Sequence, residues 1–168
     1  MKTWHIPAIV YATICLIFVA FVGGSAPLLP DSAVASHFNG AGNPDGSMAR
    51  NAYLLFTCGM GVGTSLFIIG TIYACSFLPV SMINIPNKGY WLAPAQRVQS
   101  CRFLFAHSFH LGSLILCFMG GLHFLTILAN RSVPKHLPGG PFALVGGFFG
   151  IGLIIWIAVL YWRFPKPK

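Results

Sequence analysis

Asp31, His37, Asn39 and Asp45 bring two carboxylates, an imidazole and an amide into one short stretch, and Asp31 and Asp45 are the only acidic residues in the chain. Oxygen ligands with one nitrogen suit a divalent cation. A carboxylate beside an imidazole can move protons. With Phe38 added, the same groups can hold a peptide or another small ligand. A plainer reading competes. Asp31 can cap a short helix running to His37. Asn43-Pro44-Asp45-Gly46 fits a type I turn, and Asn39-Gly40 a further bend. His37 and Phe38 have no part in that reading. No HExxH, no paired Glu and no Ser-His-Asp order accompanies these residues. No catalytic residue is therefore assigned, the expectation is a non-enzymatic protein, and a metal-dependent membrane enzyme stands only as a further alternative.

His107, His110 and His123 form the second set. His107 and His110 are three residues apart, so they neighbour each other on one helix face. His123 follows His110 by 13 residues, which at about 100° per residue turns it to the far side. The three cannot close one metal site alone. An imidazole inside an apolar helix can ligate a haem or a chlorophyll, relay a proton, or bond a neighbouring helix. The cofactor, if there is one, is not specified by the residues. His5 and His136 read as interfacial.

The elements that must carry these groups are apolar. The chain has 168 residues, 56% hydrophobic and 7% charged, with a mean hydropathy of +0.76. Soluble domains carry about 25% charged residues, so this composition belongs to a membrane protein. Four runs stand out, at about residues 6–24, 52–78, 101–128 and 142–162. Each is near the ~20 residues that span a bilayer as a helix. Lys2 and the small Gly24-Ser25-Ala26 would also suit a signal peptide, but the first run is read as a span. The expectation is an all-α, polytopic four-helix transmembrane bundle over residues 1–168, with one short ordered extracytoplasmic loop, residues 28–50. Ser47 is placed to cap the second span and Pro94 to open the third helix.

Basic residues divide unevenly. Lys2, Lys88, Arg97, Arg102, Arg163, Lys166 and Lys168 fall on one side, and Arg50, Arg131 and Lys135 on the other. The positive-inside rule then places both termini in the cytoplasm and residues 28–50 outside. Tyr90 and Trp91 suit the interface, and Arg97 and Arg102 can reach headgroups. The formal charge of +8 lies at the ends of apolar segments, so the partner it implies is the lipid bilayer and not nucleic acid. Cys15, Cys58, Cys75, Cys101 and Cys117 contain no CxxC pair and read as small apolar residues. Gly59–Gly63 and Gly146–Gly150 have GxxxG spacing, and Gly120-Gly121 adds a small patch. These favour packing within the bundle, with a homo-oligomer or a membrane-protein partner as the alternative.

Leu29-Pro30-Asp31, Ser36-His37-Phe38-Asn39, Gly42, Pro44-Asp45-Gly46 and Arg50 resemble the HFN-x-x-G-x-PDG loop of an uncharacterised bacterial membrane-protein family. Residues 83–87, Tyr90-Trp91-Leu92-Ala93-Pro94 and Ala129-Asn130 are similar to that family too, so the likeness runs over nearly the whole chain. The family shares a domain of unknown function with the N-terminal part of SdpI-type immunity and signalling proteins. The resemblance implies a multi-pass protein of the bacterial inner membrane. SdpI-type proteins confer immunity to a secreted toxic peptide and signal at the membrane, so the resemblance implies immunity or sensing of that kind. From its own residues the loop is expected to recognise a ligand, ion, peptide or partner protein through Asp31, His37, Phe38, Asn39 and Asp45. The alternative is an accessory subunit of a redox or photosynthetic membrane complex, with a pigment or haem on His107, His110 or His123.

Overall fold

Apolar runs of this length satisfy their backbone by forming helices, and four long ones organise the chain. The computed structural model describes residues 4–167; Lys2 and Lys168, which entered the charge count, lie outside them. It is mostly helical, 73%, with α1 (His5–Gly24), α2 (Arg50–Cys75), α4 (Pro94–Arg131) and α5 (Gly139–Arg163) each long and apolar enough to cross a membrane. A single turn, α3 (Lys88–Trp91), precedes α4. Pro94 does open α4, where its missing N–H costs nothing.

α4 is the axis. Its 38 residues extend about 57 Å at 1.5 Å per residue. One face receives α1 and α2, burying Tyr11, Phe18, Val22, Ile69 and Leu116 together. Tyr11 and Ser65 share a buried hydrogen bond of 2.8 Å between their hydroxyls. The other face receives α5, where Phe118 meets Phe149 with ring centroids 4.5 Å apart. α5 itself contains no buried residue.

The glycine expectation needs correction. A Cβ on Gly59, Gly63, Gly146 or Gly150 would meet nothing within 4 Å, so neither GxxxG pair packs inside the bundle. The Gly120-Gly121 patch does pack inside the bundle, and the other close approaches fall at glycines outside those four. A Cβ at Gly61 would lie 2.6 Å from the Phe18 ring, at Gly121 2.9 Å from Val145, and at Gly152 2.7 Å from Leu114. Spacing alone does not say which way a glycine faces.

The first loop is also corrected. Residues 32–37 are not a capped helix: β1 (Val34–Phe38) pairs antiparallel with β2 (Pro44–Met48). Burial decides against the helix. Val34 and Ala35 are enclosed, Val34 beside Leu29, Tyr53 and Ile127. Asn130 of α4 then serves β1 as a substitute strand. Its Oδ1 accepts from the Ala35 N–H at 2.8 Å and its Nδ2 donates to the Ala35 carbonyl at 2.9 Å. Local helix preference cannot match a pattern that satisfies both backbone groups of a buried residue. Pro44 begins β2 and is not the second residue of a turn; a proline fits there because the first residue of a strand can lack a donor. Ser47 lies within β2, and α2 starts after Ala49 with no side-chain cap.

The turn itself is residues 39–43. Asn39 closes it: its Oδ1 accepts from the N–H groups of Ala41 and Asn43, both at 3.0 Å. Gly42 takes φ +80°, a conformation that favours glycine.

At the opposite end, Ile83, Ile85, Leu92 and Phe164 form a separate cluster. Arg97, expected to reach outward, turns inward and donates to the carbonyls of Ser76 and Leu78, just past the end of α2.

Candidate functional site

The hairpin does not stand free above the helices. Its turn docks on the segment between α4 and α5, where the Leu137 N–H donates to the Gly42 carbonyl at 2.9 Å. A Cβ on Gly42 would fall 2.6 Å from His136 Cε1 and 2.7 Å from the Leu137 carbonyl, so the contact requires glycine for space as well as for φ. Ser132 Oγ accepts from the His136 N–H at 2.9 Å and holds the segment in its bend.

Between hairpin and helices lies a cleft of about 560 Å³. The hairpin contributes His37, Phe38 and Asn39, and the facing wall contributes Leu125, His136 and Phe142. Each wall therefore sets an imidazole beside apolar side chains, an arrangement suited to an amphipathic ligand.

The four polar residues singled out in the sequence are divided by the fold. His37 and Asp45 come together: Nδ1 of His37 bonds an Asp45 carboxylate oxygen, with 75% and 43% of the two side chains exposed. The register explains how. Ala35 faces Ser47 and His37 faces Gly46, leaving Ser36 extra on β1; Phe38 then faces Pro44, leaving Asp45 extra on β2. These paired irregularities bring Asp45 to the His37 ring. With Nδ1 donating to the carboxylate, Nε2 of a neutral His37 carries the lone pair. Asn39 lines the cleft, but its Oδ1 is committed to the turn. Asp31 is elsewhere, paired with Arg50 at the start of α2. Among the described residues no group of three or more His, Cys, Asp or Glu side chains is placed to hold a metal ion.

The helix histidines occupy three environments. His123 is 1% exposed, and both ring nitrogens are engaged: Nε2 lies 2.7 Å from Ser25 Oγ and Nδ1 2.9 Å from the Tyr53 hydroxyl. Ser25 Oγ in turn donates to the Val22 carbonyl at 2.8 Å. One proton order serves the whole chain: Tyr53 O–H to Nδ1, Nε2–H to Ser25, and Ser25 O–H to Val22. The network ties α1, α2 and α4 together directly beneath the hairpin. His107 bonds the Trp156 carbonyl through Nε2 at 3.0 Å and stacks on the Trp156 ring at 4.7 Å. Trp156 Nε1 returns a bond to the His107 carbonyl at 3.0 Å. His110 is exposed on the surface of α4.

Reading residues in order missed His136, which closes the cleft, and Asn130, which seats the hairpin. The only signal for His136 was a histidine in a proline-rich loop. Nothing in the order of residues links it to Gly42, 94 positions away. The five cysteines are all free. Compared with family models, with curated proteins and with solved structures, the chain finds no match.

Proposed function

We propose that this protein is a non-enzymatic, multi-pass protein of the bacterial cytoplasmic membrane, with both termini inside, whose outward cleft recognises a peptide or a similarly amphipathic ligand. The cleft under the hairpin carries this reading. It sets His37, Asn39 and His136 against Phe38, Leu125 and Phe142 at the end of the bundle. That position would be the outer membrane interface, where an amphipathic molecule concentrates. The resemblance to the HFN-x-x-G-x-PDG family and to SdpI-type immunity proteins supports a secreted peptide as the class of ligand.

Two experiments test it. A cysteine at position 45, probed in intact cells with an impermeant thiol reagent, is expected to react; reaction only after lysis would overturn the orientation. A photoreactive residue replacing Phe142 in native membranes is expected to give a discrete non-lipid adduct. The same group at Leu144, 75% exposed on α5, should give lipid adducts alone. Lipid adducts alone at both positions would remove the cleft from the argument.

A second reading keeps one specific observation. His110 presents an exposed imidazole on α4 while His107 and His123 are hydrogen-bonded within the chain. As an accessory subunit of a redox or photosynthetic membrane complex, the protein would hold its pigment or haem there. An absorption band lost in His110→Ala but kept in His123→Ala would favour this reading.

A further inference from the structure

The end of the molecule opposite the hairpin has a charge problem that the chain does not solve internally. Its only two acidic side chains, Asp31 and Asp45, are engaged by Arg50 and His37 at the other end. The distance from Arg102 to the end of α4 at Arg131 is about 43 Å, at 1.5 Å per residue. No acidic side chain is within reach of Arg102 or Arg163. Among the described residues, neither donates a hydrogen bond to a protein acceptor, whereas Arg50 and Arg97 do.

Arg102 and Arg163 line the same cleft, about 690 Å³, between the start of α4 and the end of α5. Gln99 adds an amide, and Val98, Phe103 and Ala106 supply apolar wall. Arg163 sits among three aromatic rings. Its guanidinium carbon lies 5.0 Å from the Trp91 ring centre, 5.4 Å from Phe103 and 5.3 Å from Phe164. Contact with rings occupies none of its N–H donors, which stay available for a planar or tetrahedral oxyanion. Arg102 also borders a second apolar cleft of about 420 Å³, toward α2, lined by Tyr73, Phe77 and Phe105.

We infer that the Arg102–Arg163 cleft is a binding site for the phosphodiester headgroup of an anionic glycerophospholipid, whose acyl chains lie along the apolar walls on either side of Arg102. The inference rests on the membrane reading above, not on the outer cleft. Basic pockets between membrane helices capture such headgroups because the arginines gain a counter-ion and the walls gain hydrocarbon. A free phosphate would satisfy the guanidinium groups but would leave the apolar walls uncovered.

The test uses the full chain, extracted in neutral detergent and stripped of lipid; a need for detergent examines the membrane reading separately. Dioleoyl phosphatidylglycerol, dioleoyl phosphatidylcholine or sodium phosphate is then added, and bound lipid and thermal midpoint are measured after gel filtration. The expected result is retention of phosphatidylglycerol over phosphatidylcholine by roughly tenfold or more, with a raised midpoint. Arg102→Gln should lose most of that preference and Arg102→Gln with Arg163→Gln all of it. Arg131→Gln, at the hairpin end, should keep it. Arg102→Gln removes no hydrogen bond within the described residues, so its result does not depend on a folding defect. Equal retention of the two lipids, a wild-type preference in the double variant, or the same midpoint rise from sodium phosphate alone would each overturn the inference.

Discussion

The hairpin end and the opposite end of this bundle balance their polar groups in different ways. At the hairpin end both carboxylates and the buried Asn130 and His123 find partners within the chain. Asp31 has Arg50, Asp45 has His37, Asn130 has both backbone groups of Ala35, and His123 has Ser25 and Tyr53. At the other end arginines lie against aromatic rings and carbonyls with no acidic side chain nearby. The difference teaches what each end needs from outside. A surface whose polar groups are already paired keeps its shape and selects by fit; a surface with surplus cations requires an anion. The first suits a preformed recognition cleft, and the second a headgroup layer.

The comparison can be broken by experiment, most sharply at Asn130. Asn130→Ala strands the Ala35 N–H and C=O, both enclosed, and should destabilise the protein by about 3 kcal/mol. The hairpin should loosen first, so labelling of a cysteine at Ala35 should accelerate in the variant; an unchanged rate would mean that Asn130 does not seat the strand.

Gly42→Ala comes next. The new methyl group meets His136 and the Leu137 carbonyl at a backbone angle that L residues avoid, a cost of roughly 1–3 kcal/mol. Limited proteolysis at Lys135 should increase as the turn lifts from its seat. Gly61→Ala should cost a similar ~1–3 kcal/mol by forcing Phe18 aside, while Gly59→Ala and Gly63→Ala should stay within about 0.5 kcal/mol. Thermal midpoints of the three variants in one detergent would check the contrast. A loss at Gly59 or Gly63 equal to that at Gly61 would mean that the GxxxG face has a partner.

Tyr53→Phe removes the donor to His123 Nδ1 and should cost about 1–2 kcal/mol, read as a fall in thermal midpoint. The smallest effect belongs to the outer ion pair. Asp31→Asn should change stability by less than about 1 kcal/mol, because Asp31 is 92% exposed and water screens the attraction. A large loss there would give the pair a role that its exposure denies.

Much of this architecture is legible in the order of residues. Long uncharged runs bounded by prolines, arginines and polar loops can satisfy their backbone only as helices, and Pro94 marks a helix start by its own chemistry. The order of residues also marked residues 28–50 as the place where polar groups gather. The loop conformation was not legible: Asp31, Ser32 and the following alanines favour a capped helix locally, and the strand wins only through Asn130 and the pocket for Val34. The partners of Gly42, His123 and Arg163 were equally invisible, since each lies far along the chain.

What the sequence by itself determined is therefore composition and length: four helices, two acids in one loop, and a basic excess that no carboxylate balances. Tertiary structure alone decided which polar groups meet. Hydrogen bonds and steric contacts act over a few ångströms, and residues 35 and 130, or 42 and 136, come within that range only when the helices have packed.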